Sequence, residues 1–287
     1  MPGSPVRRTV SISVAVLEAI VLAALDALRF LTRLPIPDPR PTVPISTDPQ
    51  GNTVIDQPDQ AAQDSVYEPH RWIMALFPVV GLLLGAIIWS VHGALGWLLP
   101  QGPLDLLLLA LLAVLSGAIH WDGLIDTADA LGAPKARRLA VLKDVHAGSF
   151  GILAMVFVLA CQWSALSVLS GWYHGAALLL FPVWGRWLMV AVSWNMPDMR
   201  RGGGLAGSFL ARLSGAQVAA AGAVSVVISV LLLGLFGGLI LLLAMGALAL
   251  LLRWFYQRQF GGISGDLIGA ACCLGEALAL LSLSALA

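Results

Sequence analysis

Eight stretches of this chain are apolar over about the 20 residues that a helix needs to cross a bilayer, and the links between them alternate in kind. The stretches cover about residues 11–29, 73–98, 103–120, 151–170, 175–194, 216–235, 237–252 and 266–286. Gln101-Gly102-Pro103, Gly171 to Gly175 and Phe236-Gly237-Gly238 are short links without Lys or Arg. The links at about 30–72, 121–150, 195–215 and 253–265 are long and hold nearly all the charge. If each stretch from residue 73 onward crosses once, every charged link falls on one side. Of 16 Lys and Arg, only Arg7, Arg8 and Arg186 lie away from those links. Basic links stay in the cytoplasm, so that side is expected to face it.

The expected fold is an all-α, polytopic membrane bundle of about seven spans plus an N-terminal helix. That first helix, 11–29, contains Glu18 and Asp26. It either spans, which puts Arg7 and Arg8 outside against the rule, or lies along or dips into the interface, which keeps them on the cytoplasmic side; the second is preferred. It also lacks a small-residue cleavage site, so it reads as retained. Composition agrees, with 59% hydrophobic and 11% charged residues, against about 25% charged in soluble domains. A formal net charge of zero gives no reason to expect nucleic acid as a partner. Cys161, Cys272 and Cys273 sit in apolar runs without metal-type spacing and read as small buried hydrophobes. Residues 38–70 are polar, proline-rich and aperiodic, a flexible cytoplasmic loop inside a single membrane domain, 1–287. The sequence leaves the assembly open, a homo-oligomer included.

The chemistry concentrates in His120-Trp121-Asp122-Gly123-Leu124-Ile125-Asp126-Thr127-Ala128-Asp129. Asp122, Asp126 and Asp129 stand at i, i+4 and i+7, on one face of a helix. Oxygen-only ligands in that number suit a hard divalent cation such as Mg²⁺, which uses few carboxylates and completes its shell with water and substrate phosphate. The bland alternative is a solvated helix start, where acids are favourable. His120 is either an interfacial polar residue or part of the site. Lys135, Arg137, Arg138, Lys143, Asp144 and His146 follow, then Gly148 and Gly151. Cations beside a metal-binding face are what a phosphorylated substrate needs, although Arg137 and Arg138 also suit contact with anionic lipid. Arg200-Arg201-Gly202-Gly203-Gly204 is a second basic site, open to phosphate through paired arginines and close backbone approach. Asp266, after Gly261-Gly262-Ile263-Ser264-Gly265, is an N-cap or a further ligand. Glu276 lies mid-span, where a charge is functional by default, with Arg186 its candidate partner.

These residues resemble the cobalamin synthase family, the adenosylcobinamide-GDP ribazoletransferases. The matching stretches are Phe30 to Pro37 (FLTRLPIP), Phe77-Pro78-Val79-Val80-Gly81 with Gly85, and His120 to Asp129. Arg138-Leu139, Leu142-Lys143-Asp144 with Gly148 and Gly151, and Gly261 to Gly269 with Glu276 complete them. They run in order through almost the whole chain. Ala130 stands where the family usually has Gly, Leu142 where it usually has Met, and Cys272-Cys273 where it tends to be more polar. The resemblance implies a Mg²⁺-dependent inner-membrane enzyme of late vitamin B12 assembly. It would transfer the adenosylcobinamide phosphoryl group of adenosylcobinamide-GDP to α-ribazole, or its 5′-phosphate, releasing GMP. On that basis Asp122, Asp126 and Asp129 hold the metal, and Asp126, Lys143, Asp144 and His120 act in catalysis, the last two as alternative bases. Arg33, Arg138, Arg200, Arg201, Gly265 and Asp266 are assigned to substrate. A CDP-alcohol-type phospholipid phosphotransferase is the nearest alternative, but the Ala-Arg that its motif requires after Asp122-Gly123 is missing. A transporter is a further alternative, without the internal repeats such folds usually carry.

Overall fold

The computed structural model describes residues 21–36, 45–47, 53–55, 72–144, 146–199 and 205–287. Residues 21–31 form α1. A 3-10 turn (Ile73–Leu76) leads into α2 (Phe77–Leu95), followed by α3 (Gln101–Leu115), α4 (Ile119–Gly132) and the single turn α5 (Arg138–Val141). Then come α6 (Ser149–Ser167), α7 (Gly171–Ser193), α8 (Leu205–Leu210), α9 (Gly215–Phe260) and α10 (Gly265–Ser284). Within the expected loop 38–70, β1 (Ile45–Thr47) pairs antiparallel with β2 (Thr53–Ile55). The rest of that loop, and residues 11–20 of the first apolar stretch, lie outside the described residues.

Among the described residues, five helices are long and apolar enough to cross a membrane. The pair α3 and α4 adds a sixth candidate if counted as one span, although the two helices meet at 91°. That break corrects the expected span 103–120. Ser116 Oγ donates back to the Leu112 and Ala113 carbonyls at 3.0 and 3.1 Å, a local bond that competes with helix continuation. Gly117 and Ala118 then take positive φ values of 65° and 56°, and the Leu115 carbonyl is satisfied by the Arg33 N–H at 2.8 Å. The start of the expected loop is therefore a helix turned across the bundle.

A straight helix of 46 residues, the length of α9, would be about 69 Å long. Yet its two ends meet one residue. A Cβ on Gly215 would lie 3.5 Å from the Trp194 ring, and Arg253 Nη1 donates to the Trp194 carbonyl. The chain reverses at Gly234, whose φ of 76° and ψ of 175° are open to glycine alone. This puts the turn two residues before the expected Phe236-Gly237-Gly238, and the second arm runs on through Arg253 and Arg258 to Phe260. Gly261, at φ 81°, ends it. The expected charged loop 253–265 is thus mostly helix.

The two ends of the bundle are sorted by charge. At one end Gln101 Nε2 donates to the Leu169 carbonyl (2.6 Å), Trp163 Nε1 to Gly102 (2.8 Å) and Trp172 Nε1 to Leu232 (2.8 Å). These bonds gather the uncharged turns and the tip of α9. At the other end Lys135 Nζ donates to the Arg258 carbonyl at 3.0 Å. Beside it, Ile263 and Pro197, then Met199 and Ile263, exchange backbone bonds at 2.8 and 3.0 Å. Exposed tryptophans mark both ends, Trp97, Trp163 and Trp172 on one and Trp72, Trp194 and Trp254 on the other, the placement of interfacial anchors.

Helix α7 is buried on nearly every side. Gly81 and Gly85 of α2, four residues apart, lie against its backbone, and a Cβ on Gly85 would stand 2.8 Å from the Leu178 carbonyl. Small residues at that spacing let membrane helices pack by van der Waals contact. At the uncharged end, fully buried Asp105 of α3 meets His174 Nε2 of α7 at 2.8 Å. The His92 ring of α2 lies 4.5 Å from that of His174. A buried carboxylate in a span requires such a partner, and the contact clasps three helices together.

Candidate active site

Helix α4 lies across the charged ends of α6 and α10, and glycines set how closely. A Cβ on Gly123 would stand 2.5 Å from the Asp266 carbonyl oxygen, and one on Gly269 would stand 3.2 Å from the His120 backbone. Side chains on α4 divide into two faces. His120, Gly123, Leu124, Thr127 and Ala130 are buried. Asp122 is exposed, and Asp126 and Asp129 are half-buried on the opposite face, sharing one helix as the spacing requires.

Asp129 has a task that the spacing does not reveal. Its carboxylate accepts the Gly148 N–H at 2.6 Å and the Gly151 N–H at 2.8 Å. Gly148 occupies the N-cap of α6 and has no side chain to cap it, so Asp129 supplies the cap from another helix. Free N–H groups and the helix dipole both favour a carboxylate there. Glycine is needed at 148 and 151 because a Cβ at either would overlap the Asp129 carboxylate.

The other expected residues are distributed around this face. Ser264 is the N-cap of α10, its Oγ accepting the Leu267 N–H at 3.4 Å. Asp266 sits in the first turn and accepts from Ser264 Oγ at 3.2 Å, so it is not the cap. Lys143 and Asp144 are exposed, and Asp144 Oδ1 lies 2.8 Å from His146 Nδ1. Arg138 reaches the end of α9, donating from Nη1 to Gln259 Oε1 at 2.6 Å and from Nε to the Ala133 carbonyl at 3.3 Å. With Lys135 on the Arg258 carbonyl, it satisfies the C-terminal carbonyls of α9. Exposed Arg33 lays its stem over Gly117, beside the break that begins α4. His120 is buried beneath the acidic face. Arg200 and Arg201 lie outside the described residues.

Below α4, Arg186 Nη1 donates to Glu276 Oε1, both residues buried, so the partner expected from sequence is the one found. Gln162 of α6, which the sequence reading missed, donates to the Cys273 carbonyl at 3.3 Å. Cys272 and Cys273 are fully buried free thiols beside this pair. Their turn of α10 is therefore part of the floor under the site. No signal short of the fold distinguishes Gln162 from other polar residues in apolar runs.

Among the described residues, no three His, Cys, Asp or Glu side chains are arranged to hold a metal by themselves. The donor set still fits Mg²⁺, which takes one or two protein carboxylates and leaves the remaining positions to water and phosphate. Asp122 is exposed one helical turn from Asp126, and Asp129 retains lone pairs beyond the two its amides use.

A family model described as cobalamin-5-phosphate synthase matches residues 23–284. An adenosylcobinamide-GDP ribazoletransferase from Geotalea daltonii is 37% identical over 217 residues, covering 74% of this chain and 86% of that one. Another, from Stutzerimonas stutzeri, is 36% identical over 272 residues, covering 92% and 98%. A third, from Roseiflexus sp., is 30% identical over 261 residues, covering 90% and 88%. No solved structure matches the chain.

Proposed function

The chain belongs to the cobalamin-5-phosphate synthase family, and from that membership we infer the reaction for which its relatives are named. It transfers the adenosylcobinamide phosphoryl group of adenosylcobinamide-GDP to α-ribazole or α-ribazole 5′-phosphate, forming adenosylcobalamin or its 5′-phosphate and releasing GMP. The observation that carries this reading to particular residues is the packing of α4 onto the first turn of α10 through Gly123. It seats the stretch of α4 that carries Asp122 and Asp126 on the turn of α10 that carries Asp266.

Asp122 and Asp126 would hold Mg²⁺, with Asp129 completing the acidic face from its capping position. When bound, the ion neutralises charge on the pyrophosphate and on the departing GMP. The residues of the chain do the rest. Exposed Lys143 offsets charge on the phosphoryl oxygens as the ribose hydroxyl attacks the phosphorus nearest the cobinamide. The hydroxyl proton passes to Asp144, whose contact with His146 shares the charge. Buried His120 is less accessible for that role. Asp126 completes the catalytic set, and Arg33, Gly265 and Asp266, with Arg200 and Arg201 outside the described residues, are assigned to substrate. Arg138 acts by fixing the end of α9.

The charged end faces the cytoplasm, where basic links are retained, and the lipid around the 287-residue domain is that of the inner membrane. The test is direct. Purified protein in detergent receives adenosylcobinamide-GDP, α-ribazole and Mg²⁺, and GMP release is followed. GMP formation that stops with EDTA and returns with Mg²⁺ supports the reading, and none from folded protein removes it.

A further inference from the structure

Arg186 is fully buried, and Glu276 engages only its Nη1. Its Nε and Nη2 have no hydrogen-bond partner. A guanidinium carries five N–H donors, and leaving several unmet away from water is costly. Among the described residues, three more buried polar atoms of α4 and α9 lack partners. They are His120 Nε2 and Thr127 Oγ1 on α4 and Tyr256 Oη on the second arm of α9. Their residues are 3%, 6% and 1% exposed. The backbone of His120 lies against Gly269 of α10, Leu124 packs with Ala270 and Cys273 one turn on, and a Cβ on Gly185, next to Arg186, would stand 2.6 Å from Glu276 Cγ and 3.1 Å from the Cys272 carbonyl.

His120 and Thr127 lie on the buried face of α4, opposite the acids. An apolar residue at either position would serve if that face only filled the core. Unpartnered polar atoms on that buried face, with His120 over the stretch of α10 that Arg186 engages, instead match a small hydrated nest. Buried water of that kind takes about three polar partners. The net charge of Arg186 with Glu276 is zero, which favours water over an anion as the occupant.

We propose that Arg186 is a positioning residue for the acidic face. Anchored by Glu276 on α10, it reaches His120 through ordered water with its remaining N–H groups and fixes the height at which α4 lies across the bundle. The acids on the upper face of α4 then inherit that height. The kinetic consequence rests on the proposed transferase reaction, whereas the placement of α4 does not.

The test uses the full chain in detergent with two variants. Arg186→Lys keeps the charge and the ion pair but removes the guanidinium fork. The double variant Arg186→Met with Glu276→Met removes both charges at similar volume, avoiding the unpaired buried charge that makes single deletions unfold. Turnover and KM for adenosylcobinamide-GDP are measured by GMP release, and hydrogen exchange is measured over residues 119–132. Misplacing reacting groups by about 1 Å costs on the order of 100-fold in rate. The expected result is therefore a kcat lower by roughly 10- to 100-fold, with KM within about threefold of wild type. Exchange in α4 accelerates by about tenfold while α7 keeps its protection.

A folded double variant or Arg186→Lys with wild-type kcat overturns the proposal, as does lost turnover with α4 protection unchanged. If the double variant fails to fold, Arg186→Lys decides alone. If wild-type protein releases no GMP, the transferase reading fails while the exchange measurement still judges the placement of α4.

Discussion

Replacing Asp129 separates architecture from metal binding. Its carboxylate accepts the Gly148 and Gly151 amides at 2.6 and 2.8 Å, and both contacts exist without any ion. Hydrogen bonds to a charged group contribute about 1.5–3 kcal/mol each, and the half-buried setting argues for the lower end. Asp129→Ala is therefore expected to cost about 2–4 kcal/mol, losing two bonds and the favourable charge at the N-terminus of α6. Asp129→Asn keeps one acceptor and turns a donor toward the other amide, at a cost of about 1–2 kcal/mol. The assay is unfolding of detergent-purified protein followed by tryptophan fluorescence, with and without Mg²⁺, alongside GMP release. The destabilisation should be the same in both buffers. Asp122→Asn, altering an exposed carboxylate, should leave unfolding unchanged and abolish GMP release. An Asp129→Ala protein as stable as wild type in Mg²⁺-free buffer would refute the capping argument, whatever its activity.

Other outcomes follow from contacts elsewhere. Gly123→Ala sets a methyl 2.5 Å from the Asp266 carbonyl oxygen, forcing α4 away from α10. GMP release should fall on the order of 100-fold in protein that still elutes as a folded species. Gly234→Ala places a side chain where φ is 76° and ψ is 175°, and should cost about 1–3 kcal/mol in unfolding measurements while sparing KM. Asp105→Leu leaves His174 without its 2.8 Å partner and should cost about 1–3 kcal/mol. Combining it with His174→Leu should recover much of that loss, and turnover of the folded fraction should be unchanged because the clasp lies at the far end.

What the sequence disclosed, and what it concealed, divides along a physical line. Apolar length and the alternation of charged and uncharged links depend only on transfer between water and lipid, so the sorting of charge to one end of the bundle was legible. The shared face of Asp122, Asp126 and Asp129 followed from helical periodicity. The break at Ser116 to Ala118 was not legible, because Ala118 in a left-handed conformation has no compositional mark and Leu115 finds its partner in distant Arg33. Asp129 as a cap was hidden for a similar reason. The helix that it caps begins at a glycine, and its ligand comes from another element. Asp105 lies inside an apolar run, and only the fold shows His174 beside it.

The helix that bears the acids rests on α10. Gly123 meets Asp266 and His120 meets Gly269, and α10 supplies more of the packing of α4 than its sequence neighbours do. During synthesis α4 leaves the ribosome long before its support exists. A chain halted anywhere before residue 265 can insert most of its spans, and cap α6 with Asp129, yet lack the helix that supplies the largest part of the seat of α4. Seating of the acidic helix thus waits until α10 has been made and inserted.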